Sequence, residues 1–110
     1  MAVVSNLAID QGTTYSVTIT VTDDTGSARN LTNYTARSQL RRSYYTTANT
    51  AFSANIASPA DGTISLDLTA TQTSALKAGR YVYDVELVSN TLTVERIVEG
   101  IVTIYPEATK

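Results

Sequence analysis

The chain has 110 residues with a formal net charge of -2 and contains no cysteine, histidine or tryptophan. A single domain of this length buries roughly two-thirds of the surface its unfolded chain exposes, so it can stand without disulfide or metal staples. The balance of charge excludes the basic footprint of a sequence-independent nucleic-acid binder, and no apolar run reaches the length of a membrane-spanning helix. The start, Met1-Ala2-Val3-Val4-Ser5-Asn6, has neither the basic residues nor the long apolar stretch of a secretory signal.

Val3, Val4 and Leu7-Ala8-Ile9 predict a short opening strand that ends at Gln11-Gly12. Over residues 13–22, Tyr15, Val17, Ile19 and Val21 alternate with Thr14, Ser16, Thr18, Thr20 and Thr22. One apolar face and one hydroxyl face make an antiparallel strand with a core side and a wet side. Asp23-Asp24-Thr25-Gly26-Ser27 is a turn by composition. Residues 34–42 predict a strand with Ala36, Ser38 and Leu40 inward and Arg37, Gln39 and Arg41 outward. Residues 43–50 have no period and predict a loop, and Phe52, Ala54 and Ile56 then alternate in a short strand closed by Ser58-Pro59-Ala60-Asp61-Gly62. Ile64, Leu66 and Leu68 mark the next strand, and residues 69–77 read as a short helical turn that Thr69 can cap on its way between sheets.

The most complete alternation lies in Gly79–Val88, where Tyr81, Tyr83, Val85 and Leu87 oppose Arg80, Asp84 and Glu86. This stretch predicts the central strand and half of a hairpin whose other half is residues 92–104. Both parities of that second half carry apolar residues, and Gly100 in mid-run suggests a bulge that exchanges the faces. Val17, Ile19, Leu66, Tyr83, Val85 and Leu87 are the expected core.

About seven short strands, one helical turn and turn signals every ten residues or so predict an all-β fold, an immunoglobulin-like sandwich of antiparallel strands in a single domain over residues 1–110. A small barrel or a jelly roll is the alternative. Tyr81 stands where many such sandwiches place a tyrosine whose hydroxyl bonds back to the crossing segment, although packing alone would also explain it.

Chemistry is sparse. Losing histidine and cysteine removes the commonest general base, a strong nucleophile and the usual transition-metal ligands, so neither a catalytic site, a cofactor nor a metal is expected. Asp23-Asp24 beside Gly26 offers oxygens for a hard cation, but the alternating ligand run of a calcium loop is missing and a solvated turn explains it better. Asp67, Asp84 and Glu86 face outward and could form a carboxylate pair if their strands were neighbours, while solubility accounts for them as well. Asn30-Leu31-Thr32 and Asn33-Tyr34-Thr35 match a glycosylation pattern that means little without a secretory signal. Arg41, Arg42, Tyr44 and Tyr45, with Arg37 nearby, combine guanidinium groups and rigid aromatic surfaces as a protein-binding hot spot does. The plainer reading is an edge strand charged against aggregation.

Several landmarks follow one another in a familiar order: Gln11-Gly12-Thr13-Thr14; Asn30-Leu31-Thr32-Asn33-Tyr34; Asp61-Gly62-Thr63-Ile64-Ser65-Leu66-Asp67-Leu68-Thr69; Thr71-Gln72-Thr73; Leu76-Lys77-Ala78-Gly79-Arg80-Tyr81-Val82-Tyr83-Asp84-Val85-Glu86-Leu87; and Glu99-Gly100-Ile101-Val102-Thr103-Ile104. Together they resemble small immunoglobulin-like virion modules of tailed phages, similar to the N-terminal domain of baseplate upper proteins, which hold receptor-binding proteins or fibres. The resemblance implies a virion location and a non-enzymatic structural role, docking onto tail, baseplate or fibre proteins. It further implies other virion structural proteins as partners, with several copies of this chain in the particle. A capsid or neck decoration protein is the alternative, and a carbohydrate-binding, adhesin-like module the second, for which Tyr34, Tyr44 and Tyr45 would form the stacking platform. Nucleic acid and membrane are not expected as partners.

Overall fold

The computed structural model describes residues 3–23, 25–43 and 49–108. Its elements run β1 (Val3–Val4), β2 (Leu7–Asp10), β3 (Tyr15–Thr20), β4 (Thr35–Arg41), β5 (Thr50–Ala51), β6 (Ser53–Ser58), β7 (Thr63–Leu68), α1 (Ala70–Ser74), β8 (Gly79–Val88) and β9 (Val94–Tyr105). They form two facing sheets. The larger is ordered β1-β9-β8-β4-β5 with β2 also on β9, and the smaller is β3-β7-β6.

β8 takes the middle of the larger sheet because it offers an unbroken apolar face. Tyr81, Tyr83, Val85 and Leu87 are all buried against the opposite sheet, where Ile64, Leu66 and Leu68 of β7 point back at them. β-branched residues favour these strands, since their stiff side chains pack well on a pleated surface. Phe52 meets the Tyr83 ring edge-on, with centroids 6.1 Å apart.

The chain passes from the smaller sheet to the larger through α1, as its sequence predicts. Thr69 caps it reciprocally: its hydroxyl accepts the Gln72 N–H at 3.2 Å, and the Gln72 side chain accepts the Thr69 N–H at 2.9 Å. Thr73, fully buried, donates its hydroxyl to the Thr13 carbonyl at 2.7 Å and so pins the helix to the approach of β3. Three residues past the helix, the Tyr81 hydroxyl donates to the Lys77 carbonyl at 2.8 Å. That bond to backbone a few residues upstream is the tyrosine corner of immunoglobulin-like sandwiches.

Four expectations change. The opening segment is two strands, and both run parallel to β9, in one register from Val3 opposite Val98 to Asp10 opposite Tyr105. The sandwich is therefore not wholly antiparallel. The bulge lies at Ile97, where the β8–β9 register slips between Val85 and Glu86, and it lets the consecutive residues Ile97 and Val98 both turn inward. Gly100 instead makes room: a Cβ there would stand 2.2 Å from the Ser5 carbonyl oxygen. The Tyr83 hydroxyl reaches across this gap to donate to the same carbonyl. Lastly, Val17 and Ile19 are only half-buried, because β3 is the edge of its sheet and none of the described strands lies on its outer side. Of the predicted loop over residues 43–50, residues 44–48 lie outside the described residues and Thr50 opens β5.

Candidate interaction surface

The outer face of the larger sheet carries the outward arginines and carboxylates that the alternation predicts, and register pairs them. Arg37 stands directly opposite Glu86, 2.7 Å from it, while Arg96 bridges Asp84 at 3.3 Å and Glu99 at 3.6 Å. Arg41 donates to the Gln39 side chain at 3.1 Å. Burial pushes the Asp84 carboxyl above its ordinary pKa, and the neighbouring Glu86 and Glu99 add to the rise against the pull of Arg96 and Arg41. Asp67 lies in the other sheet, on β7, so the three outward carboxylates do not meet. Asp84 and Glu86 are each engaged by an arginine, Asp84 by Arg96 and Glu86 by Arg37.

Of the predicted hot spot, Tyr44 and Tyr45 lie outside the described residues. Arg41 and Arg42 diverge at the end of β4. Arg42 folds back over the Tyr81 ring, its guanidinium carbon 4.9 Å from the centroid, and donates to the Arg80 carbonyl at 3.3 Å. Tyr34 is no open stacking platform either, because Arg29 covers its ring at 5.3 Å.

The Asp23 turn is closed on itself. One Asp23 carboxylate oxygen accepts the Thr25 N–H at 2.9 Å, the Thr25 hydroxyl at 2.6 Å and the Ser27 N–H at 3.1 Å, bonds that hold its pKa below the usual range. Among the described residues no group of three or more metal-ligating side chains converges. Gly62, in the predicted Asp-Gly turn, is buried under the loop before β4. Its φ is +69°, and a Cβ would meet the Arg29 carbonyl oxygen at 2.5 Å, so that turn is fixed by close backbone approach.

The surface that reasoning from the sequence missed lies along one open side of the sandwich. A groove of about 740 Å³ runs between β3 and the β1–β9 edge, with Val3, Leu7, Val17, Ile19, Ile97 and Val98 along it. One end is closed by Arg29, whose guanidinium grips Glu95 of β9 with two bonds of 2.8 and 2.9 Å. That grip holds the Glu95 carboxyl below its ordinary pKa. The groove exists because of where the opening strands go. In the constant-type arrangement a first strand pairs with the second and completes a four-stranded sheet; here β1 and β2 lie on β9, and β3 is left as the edge of a three-stranded sheet. Among the described residues no strand pairs with the outer edge of β3. A legible signal was present, ten consecutive residues without a charge, proline or glycine over 13–22.

Two sheets, the β9-β8-β4-β5 and β3-β7-β6 orders and the tyrosine corner define an immunoglobulin-like β-sandwich. No family model and no curated protein matches the chain. Among solved structures, an internalin-like protein of Listeria monocytogenes is similar at 15% identity and a TM-score of 0.48, over 94% of this chain and 28% of that one. The chain thus spans little more than a quarter of that protein's length. Murine CRIg is similar at 10% identity and a TM-score of 0.42, over 93% of this chain and 92% of its own.

Proposed function

We propose that the chain is a non-enzymatic structural module of a tailed-phage particle, which docks onto tail, baseplate or fibre proteins through a strand edge. The observation that carries this reading is the uncharged outer edge of β3 beside a groove of mixed lining, in which Val3, Leu7, Val17, Ile19, Ile97 and Val98 supply the apolar part. An open edge offers main-chain donors and acceptors for affinity, and the groove beside it offers apolar pockets for alternate side chains of an added strand. Such docking uses no reactive group, which suits a surface whose arginines and carboxylates are already engaged with one another. The order of sequence landmarks supports the virion setting. Carbohydrate binding is less well supported, since the Tyr34 ring is occupied by Arg29.

Quantitative peptide mass spectrometry on purified particles from a host that produces this chain tests the reading. The chain should co-purify at a fixed ratio to a tail or baseplate protein. Its absence from intact particles overturns the proposal, and a copy number matching the major capsid protein would make it a capsid decoration instead.

A further inference from the structure

Free edges in this sandwich are not alike. At the far end of the larger sheet β4 is paired by the short β5 only at Gln39 and Leu40 and carries Arg37 and Arg41, and in the smaller sheet β6 is interrupted by a register slip between Ile56 and Ser58 and stopped by Pro59. Charges, bulges and prolines of this kind protect natural sheet edges from pairing with other chains. β3 has none of them: Tyr15–Thr20 pairs evenly with β7, residue for residue, and among the described residues nothing pairs with its other edge. Its apolar row, Tyr15, Val17 and Ile19, is meanwhile half-buried, and Val17 and Ile19 line the groove. An edge without protection, beside a groove with apolar residues on both of its sides, is open to a covering strand.

The chemistry of β3 selects the cover. The segment is electrically neutral, so a second copy of the same strand meets it with no like charges opposed. The strand is also complementary to itself. An antiparallel pair about a two-fold axis at Thr18 sets Thr18 against Thr18, Ser16 against Thr20 and Val17 against Ile19. Every hydroxyl residue then faces a hydroxyl residue and every apolar residue an apolar one, because the period of two is preserved. We propose that two copies of this chain associate through β3, joining their three-stranded sheets into one of six strands and bringing each apolar row over the partner's groove. Such an isologous contact closes on itself and makes a dimer rather than a filament. The inference rests on the reading of that edge as a docking strand and assigns it to a second copy of this chain, so that the pair meets other virion proteins through its remaining surface.

Sedimentation of the purified chain across a wide concentration range tests it. The wild-type chain should move from monomer to dimer, and hydrogen exchange should show the β3 amides slowing as dimer forms. Thr18→Lys places two ammonium groups together on the axis and, by opposing like charges, should raise the dimer dissociation constant at least about tenfold. Because Thr18 is exposed on the hydroxyl face, its circular dichroism and melting should match those of wild-type monomer; Ser16→Lys serves as a second variant, and Thr18→Val should keep the dimer. A wild-type chain that stays monomeric at every concentration overturns the proposal, as does a Thr18→Lys variant that dimerises normally. A monomer that is nonetheless found in purified particles overturns this inference alone, whereas a dimer absent from particles overturns the virion role alone.

Discussion

Two tyrosines on one face of β8 show how much a single hydroxyl can fix. Tyr81 donates to Lys77 at the corner where the chain enters the strand, and Tyr83 donates across Gly100 to Ser5, which ties the opening segment to the larger sheet. Tyr83→Phe keeps the ring against Phe52 but leaves the Ser5 carbonyl without that donor, and should cost about 1 to 3 kcal/mol. Urea melts measure it, and hydrogen exchange in β1 and β2 should rise more than elsewhere; uniform exchange would contradict the tie. Leu87 tests the core more bluntly. It is fully buried, and Leu87→Ala should cost about 2 to 5 kcal/mol, the range for an emptied leucine site. A melt within error of wild type would remove it from the core.

Among the elements, strands with strict alternation were legible and their partners were not. The inward residues of β7 and β8 follow directly from a period of two, and Thr69 with Gln72 announces the cap of α1. Thr69→Ala should cost about 0.5 to 2 kcal/mol, read by thermal or urea melting; no change would mean that Thr73 and its bond to Thr13 hold the helix unaided. Pairing is another matter, because a local pattern says which face a residue takes but not which strand lies beside it. Val3, Val4 and Leu7 therefore gave no hint of parallel pairing with β9. For the same reason the half-exposure of Val17 and Ile19 could not be foreseen: their alternation is perfect, and only the absence of a neighbouring strand leaves them open. Ile97 and Gly100 show the remaining ambiguity, since a glycine in a strand marks either a bulge or a close approach. The site was legible in the same uneven way, with the outward arginines visible in the alternation and their carboxylate partners fixed only by register.

For the molecule as a whole, pH acts through carboxylates. With no histidine, stability should be nearly flat between about pH 6 and 8. Glu95 and Asp23 have lowered values, so their contribution is present above the ordinary carboxylate range and is lost as the pH falls through their folded values. Asp84 has the opposite sign: its folded value is raised, the native state holds the proton more tightly, and stability declines as the pH rises through that interval. Asp84→Asn removes this decline. The stability of the variant relative to wild type, from urea melts between about pH 3 and 7, should therefore improve as the pH rises; a difference independent of pH would contradict the raised value.

The parallel seam between the opening strands and β9 also decides how the domain bears load. Because β1 and β2 run alongside β9 in one register, Val3 and Tyr105 sit at opposite poles, separated by about seven residues of strand, or roughly 23 Å. Tension applied between those points runs along the seam and strains its hydrogen bonds together, in shear. Tension between Gly79 and Tyr105 enters β8 and β9 at the same pole and peels that ladder one bond after another. The chain has no cysteine of its own, so handles can be attached at either pair of positions through introduced thiols. Rupture between residues 3 and 105 should need the higher force at equal loading rate, a mechanical strength set by the direction of two short strands.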